Sequence, residues 1–259
     1  DEKLVSVVKD CLDAGLKKII VINDGSDGEF LHLFAETEAL GARVISYGKN
    51  RGKGYALKTG FKYILENMPE VKGCVTADAD GQHTVSDILR VAEEVIEKPE
   101  MLTLGCRGFD TDNVPFKSRL GNTITAFIFK LLTGIKCDYT QTGLRGIPVS
   151  MLPEALEIEG YEYEMNFLMF AAEQEIEFNM IRIETVYHDD NRASHFRVIR
   201  DSFLIYRRPL TFMSISMSCS VTDIILFTVF HELVFRGEDS MILSSTVLAR
   251  LISGTMNYT

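Results

Sequence analysis

Hydrophobic positions alternate along the chain between helical and strand spacing. Leu4, Val7, Val8, Cys11 and Leu12 recur at helical intervals, and Lys17-Lys18-Ile19-Ile20-Val21-Ile22 then forms an apolar run of strand length. The pattern repeats, predicting helix over 29–40, strand over 43–47, helix over 54–67, strand over 73–77, helix over 85–97 and strand over 101–106. Strands alternating with helices predict an α/β fold built on a doubly wound, mostly parallel sheet.

Beyond Cys106 the order loosens. An apolar-rich helix is predicted over 116–132, where Phe116, Leu120, Ile124, Phe127, Ile128, Leu131 and Leu132 form a stripe that reads as core packing rather than lipid contact. An amphipathic helix over 161–174 and a strand over 177–186 follow, then the basic stretch Asn191-Arg192-Ala193-Ser194-His195-Phe196-Arg197. Residues 210–235 carry no Lys or Arg and are long enough to cross a hydrocarbon layer of ~30 Å. With a second apolar stretch from Met241, they predict a C-terminal transmembrane helical hairpin. Arg207-Arg208 sets its near side in the cytoplasm, and the acidic 236–240 loop falls outside. Asp223 and Arg250 lie within the two spans, where charges face a bundle interior or a pathway. The division expected is a catalytic α/β domain over 1–200 and a juxtamembrane and membrane part over 201–259.

Composition narrows the function. The 259 residues are 46% hydrophobic, enough for a full core, and the net charge of −10 argues against a nucleic-acid-binding body. Cys11, Cys74, Cys106, Cys137 and Cys219 are scattered without a C-x-x-C pair, so neither a zinc site nor a disulfide framework is expected. A chain that starts at Asp1 and stops at Thr259 within an apolar segment reads as a fragment of a longer protein.

The chemistry gathers where predicted strands end. Cys74-Val75-Thr76-Ala77-Asp78-Ala79-Asp80-Gly81-Gln82-His83 is a short apolar run ending in two carboxylates one residue apart. The pattern reads as a strand delivering acids to a sheet edge, where alternate side chains share a face, so both can point the same way at the carboxyl end, where open α/β sheets bind ligands. Paired carboxylates there suit Mg²⁺ or Mn²⁺ with substrate diphosphate oxygens, and the Gln82 amide oxygen can add a ligand. Asp-Ala-Asp-Gly is equally an ordinary turn sequence. Neighbouring loops add Asp24, Asp27, Asn50, Arg51, Lys53 and Arg107, a convergence of polar groups expected of a site. Gly52-Lys53-Gly54 lacks the third glycine of a dinucleotide fingerprint, because position 57 is Leu, and no P-loop is present.

Taken together, Val21-Ile-Asn-Asp-Gly-Ser26, Asn50-Arg-Gly-Lys-Gly-Tyr-Ala-Leu57, Asp78-Ala-Asp-Gly-Gln82, Gln141-Thr-Gly-Leu-Arg145 and Arg192-Ala-Ser-His-Phe196 resemble family 2 glycosyltransferases of the GT-A fold. Within that family the likeness is to polyprenyl-phosphate hexosyltransferases related to dolichyl-phosphate mannose synthase. Residues 207–259 look like the first half of a GtrA-like membrane domain. The resemblance implies nucleotide-binding roles for Asp24 and Asp78, with Asn50 and Lys53 beside them. It implies a Mg²⁺ or Mn²⁺ site at Asp78, Asp80 and Gln82, and gives Arg145 and Arg192 the phosphates of the donor and the lipid acceptor. The family's first strand and its Pro-x-Tyr-Asn turn would precede Asp1, and Gly81 and Thr84 depart from close relatives. The chain has no Trp and so lacks the Gln-x-x-Arg-Trp signature of processive synthases, which favours a single transfer.

The expectation is an inverting transferase moving one hexose from a UDP-glucose- or GDP-mannose-type donor to polyprenyl phosphate for surface glycan synthesis. It would be a multi-pass protein of the cell membrane, with its catalytic body in the cytoplasm and a homo-oligomeric state left open. Two alternatives stand beside it. One is transfer to a sugar or lipid hydroxyl, with Asp138, Glu162 or Glu164 as base. The other is a non-catalytic membrane transport or scaffold protein that only binds a nucleotide sugar.

Overall fold

The computed structural model describes residues 3–107, most of 123–140, 142–159, 163–184, 214–215, 217–236 and 238–256. The chain divides into two compact units, Asp1–Ala193 and Ser194–Thr259.

In the first unit the order is α1 (Lys3–Asp13), β1 (Ile20–Asp24), a 3₁₀ turn (Gly28–Phe30), α2 (Leu31–Ala39), β2 (Arg43–Tyr47), α3 (Lys53–Asn67), β3 (Gly73–Thr76), α4 (Val85–Glu97) and β4 (Leu102–Arg107). Then come β5 (Arg145–Pro148), α5 (Leu152–Glu157), α6 (Tyr163–Glu173) and β6 (Phe178–Ile183). The alternation read from the sequence is therefore present. α4 shows why: Thr84 caps it by accepting from the Asp87 amide at 3.2 Å, and Ile88, Val91 and Val95 bury one helical face.

The hydrogen-bonding of the strands is richer than the pattern predicts. β1 and β2 pair in parallel, while a second sheet runs β3-β5-β4-β6. β4 and β6 are parallel, and β5 lies antiparallel between β3 and β4. β5 was expected only as part of a polar motif. Its Arg-Gly-Ile-Pro sequence has no β-branched run, and pairing on both edges is what extends it.

Side chains on the two faces of β4 separate the core. Leu102, Leu104 and Cys106 pack with Phe61, Ile64, Phe129, Leu152, Phe167 and Leu168, all but Phe129 supplied by α3, α5 and α6. Thr103, pointing the other way, lies with Val91 and Val95 of α4 around Gly146. A further cluster joins Cys11, Ile88, Val91, Leu144, Ile181 and Ile183. Helices thus cover both faces, leaving the carboxyl ends of the parallel strands for a site.

One expectation is corrected. Phe127 and Leu131, assigned to a core stripe, are each 65% exposed, and Phe129 between them is buried. A helical repeat fixes which residues share a face, but what covers that face is decided by tertiary packing. Ile124, Ile128, Leu132 and 116–122 lie outside the described residues.

The second unit contains α7 (Met217–Val234), whose last turns, Val229–Val234, widen into a π-helix, and α8 (Ile242–Met256). The Asp223 carboxylate accepts from Ser253 Oγ at 2.8 Å and lies 3.4 Å from Arg250 Nε, so the two helices run beside one another. Ile224, Ile225, Leu233, Leu243 and Leu251 are exposed. α7 is long and apolar enough to cross a membrane, whereas the apolar run of α8, Ile242–Gly254, is shorter. Of the expected hairpin, one helix of spanning length is thus found among the described residues.

Candidate active site

β1 delivers Asp24 to its carboxyl end, and a local network shapes the loop after it. Buried Asn23 accepts from the Ser26 amide at 2.9 Å and donates to Ser46 Oγ on β2 at 3.3 Å. Gly25 has φ +68°, and a side chain there would collide with the backbone of Lys49 and Asn50. This closeness lets the Asp24 carboxylate accept from the amides of Arg51 at 2.7 Å and Gly52 at 2.9 Å, while Asn50 Oδ1 accepts from the Gly52 amide at 3.1 Å. Asp24 thereby fixes the turn that launches α3. The Arg51 guanidinium lies 4.5 Å from the Tyr55 ring centre, and Tyr55 meets Tyr47 edge to face. Burial, then the Asp24 carboxylate, raises the pKa of the Tyr47 phenol. A cavity of about 320 Å³ opens beside this loop, lined by Asp24, Gly25, Asp27, Asn50, Phe30 and Phe34 among others. Asp78 and Asp80 do not line it.

The acidic motif departs from expectation in a specific way. β3 ends at Thr76, so strand alternation does not extend through Asp78 and Asp80. Asp80 Oδ1 instead accepts from the Gln82 amide at 2.9 Å, and Gly81 follows with φ +73°. A side-chain bond to the backbone has replaced a strand by a turn. Gln82 Oε1 accepts from Arg107 at 3.0 Å, and Arg107 stands at the end of β4. Its Nε is buried with no hydrogen-bond partner.

Asp78 faces Lys53, the first residue of α3. The ammonium lies 2.7 Å from Asp78 Oδ1 and 3.0 Å from Glu164 Oε1 in the first turn of α6. The other Asp78 oxygen sits against Gly143, where any side chain would collide with it, and 3.7 Å from His83 Nε2. His83 is buried, with neither ring nitrogen hydrogen-bonded. Burial acts to raise the Asp78 pKa, but His83 and Lys53 outweigh it and hold the carboxyl well below the ordinary range. For Lys53, burial acts to lower the pKa, and the two carboxylates raise it above the usual value.

Arg145 does not reach outward. Its guanidinium is buried and donates to three backbone carbonyls: Thr142 at 2.9 Å, Glu164 at 2.9 Å and Thr140 at 3.3 Å. In this arrangement it braces Thr140 and Thr142 against α6. Arg192, Asp138 and Glu162 lie outside the described residues.

A hard divalent ion suits part of this donor set. Asp80 supplies a carboxylate and Gln82 an amide oxygen, which matches the shell of Mg²⁺ or Mn²⁺ completed by diphosphate oxygens and water. Asp78 fits less well, since Lys53 already neutralises it, and Gln82 Oε1 would have to give up its bond from Arg107. No cluster of three His, Cys, Asp or Glu side chains with metal-binding geometry occurs among the described residues.

The structure thus ties Asp24, Asn50, Lys53 and Asp78 together through consecutive residues of one loop, and sets Asp80, Gln82 and Arg107 together at the ends of β3 and β4. Glu164 appeared in the sequence only as a candidate base; its contact with Lys53 had no local signal. The apolar-flanked Asp78-x-Asp80 motif marks His83 only by adjacency.

Sequence comparisons bear on what such a site belongs to. The profile of Glycosyl transferase family 2 matches residues 2–153. The chain is 28% identical over 214 residues to an uncharacterised protein of Methanocaldococcus jannaschii, covering 80% of this chain and 86% of that one. It is 27% identical over 228 residues to the UDP-N-acetylglucosamine–dolichyl-phosphate N-acetylglucosaminyltransferase of Methanococcus voltae, covering 80% of this chain and 90% of that enzyme. With the family profile spanning more than half of its length and acidic and cationic side chains converging at the strand ends, the chain belongs to glycosyl transferase family 2.

Proposed function

We propose that this glycosyltransferase moves a single sugar from a nucleoside diphosphate to the phosphate of a polyprenyl lipid. The observation that carries this reading is the cationic and acidic cluster at the strand ends, with Lys53 and Arg107 flanking the Asp78-x-Asp80 turn. The name of the Methanococcus voltae relative supports a lipid-phosphate acceptor and widens the expected donors to UDP-N-acetylglucosamine, alongside UDP-glucose and GDP-mannose.

In the reaction a lipid phosphate oxygen attacks the anomeric carbon, the bond from that carbon to the diphosphate breaks, and the nucleoside diphosphate leaves with its negative charge. Attack opposite the leaving group inverts the anomeric centre. Asp24 fixes the loop that positions the nucleotide beside Asn50. Lys53 and Arg107 stabilise the charge growing on the diphosphate from preorganised positions. Asp80 and Gln82 would hold Mg²⁺ or Mn²⁺, which supplies further neutralisation of that diphosphate. No general base is required, because a phosphate monoester is largely doubly ionised above about pH 6. Glu164 is committed to Lys53 at 3.0 Å, which weighs against its service as the base that a hydroxyl acceptor would need. Arg192 is assigned to the lipid phosphate by resemblance.

Membrane attachment is part of the proposal. α7 crosses the bilayer, and α8 returns as the second arm of a hairpin, with the Asp223–Arg250 pair lowering the cost of two charges in the spans. Arg207-Arg208 keep the catalytic unit cytoplasmic.

The test is transfer by the full-length protein in membranes, with each labelled nucleotide sugar offered against polyprenyl phosphate and against polyprenol. Label is expected in lipid only with the phosphorylated acceptor. Equal labelling of polyprenol would overturn the proposal.

A further inference from the structure

We infer that Lys53 bars Asp78 from a bare divalent cation, so that the cation enters with the donor's diphosphate rather than ahead of it. The inference rests on the metal-assisted reading above and adds an order of binding to it.

Each oxygen of Asp78 has a close neighbour, although 36% of the side chain stays exposed. Lys53 Nζ stands 2.7 Å from Oδ1, while Oδ2 lies against Gly143, with His83 Nε2 at 3.7 Å. A cation reaching for Asp78 must therefore displace the ammonium or approach it as a like charge. Lys53 is anchored on its far side as well, because Glu164 Oε1 holds it at 3.0 Å. Glu164 is itself fixed: its carbonyl accepts from Arg145 at 2.9 Å, and the Tyr163 side chain before it presses on Gly54, where an added Cβ would stand 2.6 Å from Tyr163 Cβ. Pulling Lys53 away thus means loosening the contact between the first turns of α3 and α6.

A cation already chelated by a diphosphate meets a different balance. Its charge is cancelled by the phosphates, so repulsion from Lys53 falls, and the phosphate oxygens offer the ammonium a replacement anion. Lys53 can then exchange Asp78 for the diphosphate while Glu164 keeps it tethered. Asp80 and Gln82 receive the cation together with the nucleotide, and Gln82 Oε1 exchanges its bond from Arg107 for the metal.

Equilibrium dialysis of the full-length protein against Mn²⁺, at matched free Mn²⁺ with and without UDP or GDP, tests the order. The wild type should retain Mn²⁺ about tenfold or more tightly when the cognate nucleotide is present. Lys53→Met should retain Mn²⁺ without nucleotide and lose most of that difference. Lys58→Met, one turn further along α3 and 5.8 Å from the Tyr163 ring centre, should behave as wild type. Wild-type retention that is equally tight with and without nucleotide overturns the inference and leaves metal-assisted transfer standing. No Mn²⁺ retained by any variant with either nucleotide overturns the metal reading, and the inference with it. Should Lys53→Met fail to fold, the wild-type comparison decides alone.

Discussion

Lys53 and Asp78 form an ion pair at 2.7 Å between the start of α3 and the turn after β3. Because Gly52, the residue before Lys53, is bonded through its amide to Asp24, the pair couples the nucleotide-side loop to the acidic motif. Replacing Lys53 by Met should reduce transfer by about 10²–10³, the usual cost of removing one preorganised donor to a developing oxyanion. Initial rates at saturating donor and lipid measure this. A rate within twofold of wild type would remove Lys53 from the chemistry.

Asp24→Ala leaves the amides of Arg51 and Gly52 without their carboxylate acceptor. Of the two amides only that of Gly52 is partly buried, and its lost partner costs about 1–3 kcal/mol at most, so the loop should loosen before the core does. The expected outcome is a raised donor KM with a small fall in melting temperature. Asp24→Asn, which keeps an oxygen acceptor, should recover part of the affinity.

Arg145 separates two roles by stability. A guanidinium bonded to two buried carbonyls and one partly buried one braces the fold, and Arg145→Met would strand those acceptors at a cost of several kcal/mol, from about 1–3 per buried group. Urea unfolding should show that loss. Unchanged stability with a raised donor KM would instead restore the phosphate-binding role that the resemblance implied.

The low pKa of Asp78 fixes a pH signature. Its folded-state value lies below the unfolded carboxylate value of about 3.9. The pair's contribution is therefore complete above that value and is lost only as pH falls through the folded-state pKa. The stability difference between wild type and Asp78→Asn should shrink in acid, as pH falls below about 3.9 toward the folded-state value. A difference that stays undiminished there would contradict the assignment.

Strand-end acids and the Asn50–Lys53 loop were legible because apolar runs and their polar stops are local features. β5 was not, since Arg145–Pro148 becomes a strand only through partners on β3 and β4 that are distant in sequence. The shared face expected for Asp78 and Asp80 failed for a local reason: Asp80 takes the Gln82 amide and turns the chain. The Lys53–Glu164 contact depends on how α6 docks on α3, which no spacing within either helix records. Phe127 and Leu131 kept their helical spacing but not their expected cover.

Topology offers a separate check on the membrane proposal. Ser240→Cys, in the turn between α7 and α8, should react with an impermeant thiol reagent in sealed cells once Cys219 is replaced by Ser. Reaction only after lysis would reverse the orientation.

The proposed reaction makes a new bond between the sugar's anomeric carbon and a lipid phosphate. Phosphorus NMR of the purified product, made by the full-length protein from a nucleotide sugar and polyprenyl phosphate, reads that bond directly. The phosphomonoester signal should convert to a phosphodiester coupled to the anomeric proton, with the configuration opposite to the donor's. A phosphomonoester signal that persists while the sugar appears on a hydroxyl would contradict it.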